Sequence, residues 1–340
     1  MNRPPWRTLL AGFGQIAAGY ATDPVMARHY RYASHAQVLS EHTAFMWDSV
    51  IDPDERAREH ARVAWNITHS VASVIDMPER ETIEVLVLAN PPAGRMELLQ
   101  ALPGLKAVLV EKPLGPERAS ARQLLDYCED RGLPLQVNLL RRADTSHRQL
   151  AEYGLRSAVG RVQGGLCLYG NGLYNNGSHM VDLLRMLLGE IRTVQALESV
   201  SPFAEGPLAN DFNVPFTVTT ENDATVFFQP LRFDSYRENG LDLWGDDGRL
   251  SLMQEGLLQL SYPRMDNRAL SGSWEVASDQ VEAKTTSLGE AFYQMYENLA
   301  AVMMGEESLV SPGASAMRTE EVLQAVRQSA DQGGRMVVLF

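Results

Sequence analysis

Thr8-Leu9-Leu10-Ala11-Gly12-Phe13-Gly14-Gln15-Ile16-Ala17 is an apolar run that breaks into glycines and then resumes with apolar and small residues. The pattern G-x-G-x-x-[GA] behind a strand permits a tight turn at Gly12 and leaves no side chain on Gly14 to obstruct a pyrophosphate. It also puts a small residue, Ala17, where helix packs on strand. A helix starting at Gln15 would aim unpaired N–H groups and its positive dipole end at such a ligand. Gly12, Phe13, Gly14, Gln15 and Ile16 are therefore candidate cofactor contacts. The same spacing suits an ordinary strand-to-helix turn, so the rest of the chain has to decide its meaning.

Outward from this turn, strand and helix patterns alternate. Residues 44–51 read as a strand ending in Asp52-Pro53-Asp54, and 55–65 have helical composition. A carboxylate at the end of a second strand accepts hydrogen bonds from the adenosine ribose and repels a 2′-phosphate. Asp52 thus points to NAD, with NADP still open. Asp-Pro would equally turn the chain and cap the next helix. Residues 83–89 form the continuous apolar run of a strand buried on both faces, ending at Asn90-Pro91-Pro92, and Asn90 and Pro91 join the cofactor candidates. A further strand, 107–110, runs into Glu111-Lys112-Pro113-Leu114-Gly115. A helix over 117–131 and a strand at 135–138 complete a doubly wound parallel sheet, a Rossmann domain over residues 1–140.

Beyond Arg141-Arg142 the pattern changes. A helix near 147–155, a strand at 162–169 and a Gly/Asn-rich loop at 170–177 lead to a helix over 178–188. Met180, Val181, Leu184, Leu187 and Leu188 fall at helical spacing there, and Gly189 stops it. From 192 to 262 strands follow one another without helices, and Gly245-Asp246-Asp247-Gly248 is a hairpin signal. Helices return at 289–304 and 317–332. Residues 141–340 are read as an α+β domain with a large, mostly antiparallel open sheet.

Composition restricts the partners. At 340 residues the chain suits two domains. A net charge of −13 argues against nucleic acid and anionic membrane as ligands and favours small polar molecules. Cys128 and Cys167 lie far apart without C-x-x-C spacing, and the histidines form no H-x-x-x-H, so neither a disulfide framework nor a metal site is expected. No apolar run approaches about 18 residues, and residues 1–5 lack a signal-peptide pattern. A cytoplasmic protein is expected.

Two residues stand out chemically. Ligands of open parallel sheets lie outside the carboxyl ends of the strands, which sets Lys112 near the reacting end of a bound cofactor. An ammonium there can hydrogen-bond a carbinol or carbonyl oxygen and stabilise its negative charge. A solvated lysine in a proline-bounded loop is the plainer alternative. A histidine side chain ordinarily exchanges a proton near neutral pH, so His179, in the first turn of its helix, suits removal of a hydroxyl proton, but a lone histidine there can also simply pack or cap. Asp182, three residues on, could orient its ring. Arg142, paired with Arg141, would suit a phosphate or carboxylate of a substrate, or merely cap the crossover.

The joint set Gly12-Phe13-Gly14-Gln15-Ile16-Ala17, Asn90-Pro91-Pro92, Glu111-Lys112-Pro113-Leu114-Gly115, Gly177-Ser178-His179-Met180-Val181-Asp182-Leu183-Leu184-Arg185 and Gly245-Asp246-Asp247-Gly248-Arg249-Leu250 resembles the glucose-fructose oxidoreductase / inositol dehydrogenase / rhizopine catabolism superfamily over essentially the full chain. The resemblance implies an NAD(P)-binding Rossmann domain and a C-terminal substrate-binding domain whose open sheet forms a homodimer or homotetramer. It implies hydride transfer at a secondary alcohol or ketone of a sugar, nucleotide sugar or cyclitol. The family's catalytic lysine and histidine map onto Lys112 and His179, and Glu111 belongs to the cofactor-contacting motif. Asn175 would position a substrate hydroxyl, at a place where the family commonly has Asp in D-x-G-x-H. Two other departures are the long segment separating Gly12 from Asp52 and Arg95, where many relatives have histidine. Transient NAD redox driving epimerisation or elimination, and non-catalytic dinucleotide sensing, are alternatives with the same sequence features.

Overall fold

The apolar runs that flank the glycine turn become strands buried on both faces. The computed structural model describes residues 4–197, 206–208 and 210–339. The chain divides into two units, one formed by Met1–Asp144 with Gly289–Met317 and the other by Thr145–Leu288 with Arg318–Phe340.

In the first unit the elements follow as β1 (Trp6–Ala11), α1 (His35–Glu41), β2 (Phe45–Ile51), α2 (Glu55–Trp65), β3 (His69–Val71), β4 (Val85–Leu88), α3 (Arg95–Ala101), β5 (Ala107–Val110), α4 (Arg118–Asp130) and β6 (Leu135–Val137). All pairings are parallel and the sheet order is β3-β2-β1-β4-β5-β6. The order reverses between β1 and β4, which is where open α/β sheets form a ligand crevice. Leu10, Val85, Val87 and Leu109 pack on one face, and Leu9, Leu86, Leu88 and Val108 on the other. This is why the strands carry no polar alternation. α2 starts where Asp54 accepts the Arg56 N–H at 2.9 Å. The short edge strand β3 was not evident from the sequence.

The helix expected from Gln15 does not form. Ala18 and Gly19 N–H groups bond Gly14 O at 3.0 and 3.2 Å, making one turn that leads into a 3-10 turn, Gly19–Thr22. Asp23 Oδ1 then accepts the N–H groups of Val25 and Met26, a local bond that competes with helix continuation. The first α-helix is α1, capped by Ser34.

The second unit opens with α5 (Thr145–Gln149) and α6 (Leu155–Val159), joined by a π-helical segment, Leu150–Gly154. It continues with β7 (Val162–Gly170), α7 (Ser178–Leu188), β8 (Ile191–Ala196), β9 (Phe216–Thr220), β10 (Thr225–Leu231), β11 (Gly240–Gly245), β12 (Gly248–Met253), β13 (Leu258–Asp266), β14 (Trp274–Val276) and β15 (Glu282–Thr285). After these come α8 (Ala291–Met303), α9 (Gly313–Asp331) and β16 (Val337–Val338). The sheet order is β14-β13-β12-β11-β7-β10-β9-β8-β16, with β15 beside β13. Only β7 and β10 run parallel to each other among these described strands, and β11 and β12 form the hairpin read at Asp246-Asp247. One face buries Tyr169, Phe216, Phe228 and Leu243 against α7 residues Val181 and Leu184 and α9 residues Val322 and Val326. No helix among the described residues is long and apolar enough to cross a membrane.

The division of the chain is not a single cut near 140. α8 belongs to the first unit, where Phe292, Met295, Tyr296 and Leu299 share a core with Trp6, Leu10 and Phe45. An apolar helix face joins whichever core is left open to it, and sequence order does not select that core.

Candidate functional site

The glycine turn is built from backbone constraints. Gly12 has φ +86°, donates its N–H to Ile51 O at 2.8 Å, and lies so close to the next strand end that a Cβ would sit 2.5 Å from Asn90 N. Only glycine fits this position. Gly14 is the opposite case, exposed and with nothing within 4 Å of an added Cβ. Open space over a backbone with unshielded N–H groups suits a pyrophosphate, so the residues present fit an NAD cofactor. Ala17 is wholly buried.

Asp52 lies one residue past β2, as its pattern requires, and already has work inside the protein. Its Oδ2 accepts the Phe13 N–H at 2.7 Å, and its Oδ1 accepts the Asp54 N–H at 2.8 Å. The Phe13 ring is buried, edge-on to His60 at 5.6 Å and near Trp47 at 6.3 Å. Arg58 donates to the carbonyls of Asp52 and Pro53 at 2.8 and 2.9 Å. Gln15 is exposed, and Ile16 O accepts the His35 N–H at 3.2 Å. Asn90 Oδ1 is buried without a hydrogen-bond partner among the described residues, while Pro91 is exposed.

Arg95 takes a role that its charge did not announce. It is 2% exposed, and its Nη1 donates to Glu111 O and Pro113 O at 2.7 and 2.5 Å while its Nη2 donates to Asn90 O at 2.7 Å. A guanidinium fork spans several carbonyls at once, which a histidine ring cannot do. Arg95 therefore fastens the Asn90 turn to the loop carrying Lys112. That loop leaves β5 directly, and its Lys112–Pro113 peptide is cis. A Cβ on Gly115 would meet Ala121 N at 2.5 Å, so the loop end is pressed onto α4.

Glu111 turns inward. Its Oε1 accepts from Asn138 Nδ2 at 2.5 Å and lies 3.1 Å from His35 Nε2. Burial alone would raise its pKa, but the His35 contact, the Asn138 hydrogen bond and the Lys112 charge together hold the carboxyl below its ordinary value. Arg142 ends a 3-10 turn, Leu140–Arg142, just after β6 and is half-buried.

On the second unit, Asn175 lies in a π-helical turn, Leu173–Gly177, that runs straight into α7. The turn is held by Asp211, a residue the sequence reading passed over. Its Oδ1 accepts the Tyr174 N–H and its Oδ2 the Asn175 N–H, both at 2.9 Å. Gly172 abuts the same carboxylate, so a side chain there would collide with it. Asn175 Nδ2 donates to Asn171 O at 3.1 Å, and Ser178 Oγ donates to Asn175 O at 2.7 Å. His179 follows, half-buried in the first turn of α7. Asp182 is committed elsewhere: it accepts from Thr319 Oγ1 at 2.9 Å and pairs with Arg185 at 3.5 Å, a buried set that fixes α7 against α9.

The residues that sequence reasoning missed are His35, Asn138 and Asp211, together with the clamping role of Arg95. An acid ending a buried strand, as Glu111 does, signals that partners must exist, but gives no hint of which they are.

Residues 7–139 match an oxidoreductase family with an NAD-binding Rossmann fold, and residues 141–251 match the GFO/IDH/MocA C-terminal domain. None of the curated proteins matches the sequence. Among solved structures the fold is similar to the WlbA dehydrogenase from Chromobacterium violaceum in complex with NADH and UDP-GlcNAcA, at 18% identity, with 100% of this chain and 97% of that chain covered and a TM-score of 0.74. An oxidoreductase from Agrobacterium radiobacter in complex with NAD+, L-tartaric acid and magnesium is similar at 15% identity, with 98% of each chain covered and a TM-score of 0.72. A super-repressor mutant of Gal80p from Saccharomyces cerevisiae is similar at 14% identity, again over 98% of each chain, with a TM-score of 0.77.

Proposed function

Because the chain belongs to the GFO/IDH/MocA oxidoreductase family, we propose that it is an NAD-dependent dehydrogenase or reductase for a secondary alcohol or ketone of a sugar, nucleotide sugar or cyclitol. The observation that carries this reading is the position of Lys112. It follows β5 at the carboxyl end of the parallel sheet, the end that also bears the glycine turn, on a loop clamped by buried Arg95. Bound NAD supplies the hydride acceptor or donor. Gly12, Phe13 and Gly14 would cradle the pyrophosphate, Asp52 the ribose, and Asn90 and Glu111 border the same crevice. Lys112 hydrogen-bonds the reacting oxygen and stabilises its negative charge. His179 takes or returns the hydroxyl proton on a ring nitrogen. Asn175 positions a neighbouring hydroxyl; being a neutral amide it takes no proton, so that duty rests on the other two. Arg142 is assigned to an anionic group of the substrate.

The test is Lys112→Ala, assayed against sugars, nucleotide sugars and cyclitols at the absorbance of reduced nicotinamide, alongside NADH titration by fluorescence. Turnover should disappear while NADH affinity stays within about threefold of wild type. Undiminished turnover would sink the assignment. A changed sugar without net NADH would instead mark the transient redox route. Asn175 favours a second reading, a dinucleotide-binding sensor; its signature is NADH binding with no turnover of any compound and no response to substitution of Lys112 or His179.

We assign self-association, as a homodimer or homotetramer, to the sheet face of the second unit that carries Trp244, which is 37% exposed with Arg249 stacked over its ring at 5.0 Å. Sedimentation of Trp244→Glu tests this: a shift to monomer supports it, and an unchanged assembly removes it.

A further inference from the structure

Beneath the Glu111-Lys112-Pro113 loop runs a chain of buried polar side chains that the reaction above leaves unused. Tyr296 Oη and His35 Nδ1 are 2.7 Å apart, and His35 Nε2 is 3.1 Å from Glu111 Oε1. His35 and Tyr296 have no measurable exposure. A carboxylate can only accept, so Nε2 carries the proton that faces Glu111. Nδ1 shares its hydrogen bond with the Tyr296 hydroxyl, so both ring nitrogens are engaged. Burial, reinforced by the Glu111 charge, raises the Tyr296 pKa well above its ordinary value, which keeps the phenol protonated. Phe292 stands edge-on to the imidazole at 4.9 Å and holds its plane.

The main chain of the same helix start reaches the other half of the cradle. The His35 N–H donates to Ile16 O at 3.2 Å and the Ala36 N–H to Ala17 O at 2.8 Å. One residue thereby touches the glycine turn through its backbone and the lysine-bearing loop through its ring.

We propose that His35 is a positioning residue, which with Tyr296 fixes the Glu111 carboxylate beside Lys112 and ties the lysine's loop to the glycine turn. The inference rests on reading Lys112 as the acid-base group of the site. The charged and titratable groups around Glu111 are His35 from α1, Lys112 next in the chain, Arg95 from α3 on the Glu111 carbonyl, and Tyr296 from α8 behind His35. A fixed negative charge at Glu111 favours the ammonium form of Lys112.

The chain contains three lysines, Lys106, Lys112 and Lys284, so each can be followed individually. The experiment is a pH titration by NMR of full-length protein labelled with [ε-13C]lysine, in wild type, His35→Gln, His35→Leu and Glu111→Gln, with NADH titrated into each by fluorescence. Lysine signals are assigned with Lys→Arg variants. His35→Leu and Glu111→Gln should lower the Lys112 midpoint by about half a pH unit or more, whereas His35→Gln, which keeps an N–H donor, should restore it. NADH affinity should fall severalfold in His35→Leu. If His35→Leu does not fold, the contrast between Glu111→Gln and His35→Gln decides. An identical Lys112 midpoint in every folded variant would overturn the proposal. Loss of the dinucleotide reading would look different: wild type would fail to bind NADH whatever the lysine titration showed.

Discussion

The main-chain N–H of Phe13 donates to Asp52 Oδ2 over 2.7 Å, so the acid that closes β2 braces the glycine turn from within the protein. A charge-assisted bond of this kind is stronger than a neutral one, and it links the residue proposed to meet the ribose to the turn proposed to cradle the pyrophosphate. Asp52→Ala should weaken NADH binding about tenfold or more, roughly 1.4 kcal/mol. It should weaken NADPH binding less, because the repelling charge is also gone. Fluorescence titration of both cofactors gives the comparison, and an equal loss for the two would remove Asp52 from nucleotide discrimination.

The two glycines of the turn should respond in opposite ways. Gly12→Ala meets Asn90 N at 2.5 Å and keeps φ at +86°, so a stability loss of about 2 kcal/mol or more is expected in urea unfolding. Gly14→Ala adds a methyl to open space and should change stability by less than about 0.5 kcal/mol. Its effect should appear in NADH affinity alone, since the methyl occupies the approach to the backbone. A Gly14→Ala protein that binds NADH normally would place the pyrophosphate elsewhere.

Arg95 is the third lever. Arg95→Met preserves much of the stem but leaves the carbonyls of Asn90, Glu111 and Pro113 without their shared donor. Loss of buried charge-assisted hydrogen bonds should destabilise the protein by about 3 kcal/mol. Arg95→Lys should recover little of this, because an ammonium cannot reproduce the fork. Full recovery with lysine would show that charge alone is what the loop needs.

Stability should also depend on pH through His42. Burial lowers its pKa from 6.5, so below that value the unfolded chain takes up a proton that the folded chain resists. The favourable contribution is complete above pH 6.5 and is lost as pH falls toward the folded-state value. Thermal unfolding should show Tm declining as pH drops below 6.5, with a shallower slope in His42→Phe. Glu111 acts in a lower window: its carboxyl is held below 4.5, so its contribution persists until pH falls beneath that value. An unaltered slope in His42→Phe would assign the decline to other groups.

The sequence by itself determined the features whose causes are local. Leu9 to Ala11, Val85 to Leu88 and Ala107 to Val110 are apolar on both faces because helices cover both sides of a parallel sheet. Gly12 is obligatory because of its own φ, and Lys112 was placed by following a strand to its carboxyl end. The Asp246-Asp247 hairpin is likewise written in adjacent residues. The turn after Gly14 stops short of a helix through bonds between near neighbours, Ala18 and Gly19 N–H on Gly14 O and then Val25 and Met26 N–H on Asp23 Oδ1. Tertiary structure alone decided that α8 completes the first unit's core, that Arg95 holds the carbonyls of Asn90, Glu111 and Pro113, and that His35 meets Tyr296 261 residues away. Periodicity and turn chemistry act between neighbours in the chain and so leave a readable pattern. The partners of a buried polar group are chosen by whatever the folded core brings within about 3 Å, and no local pattern encodes that choice.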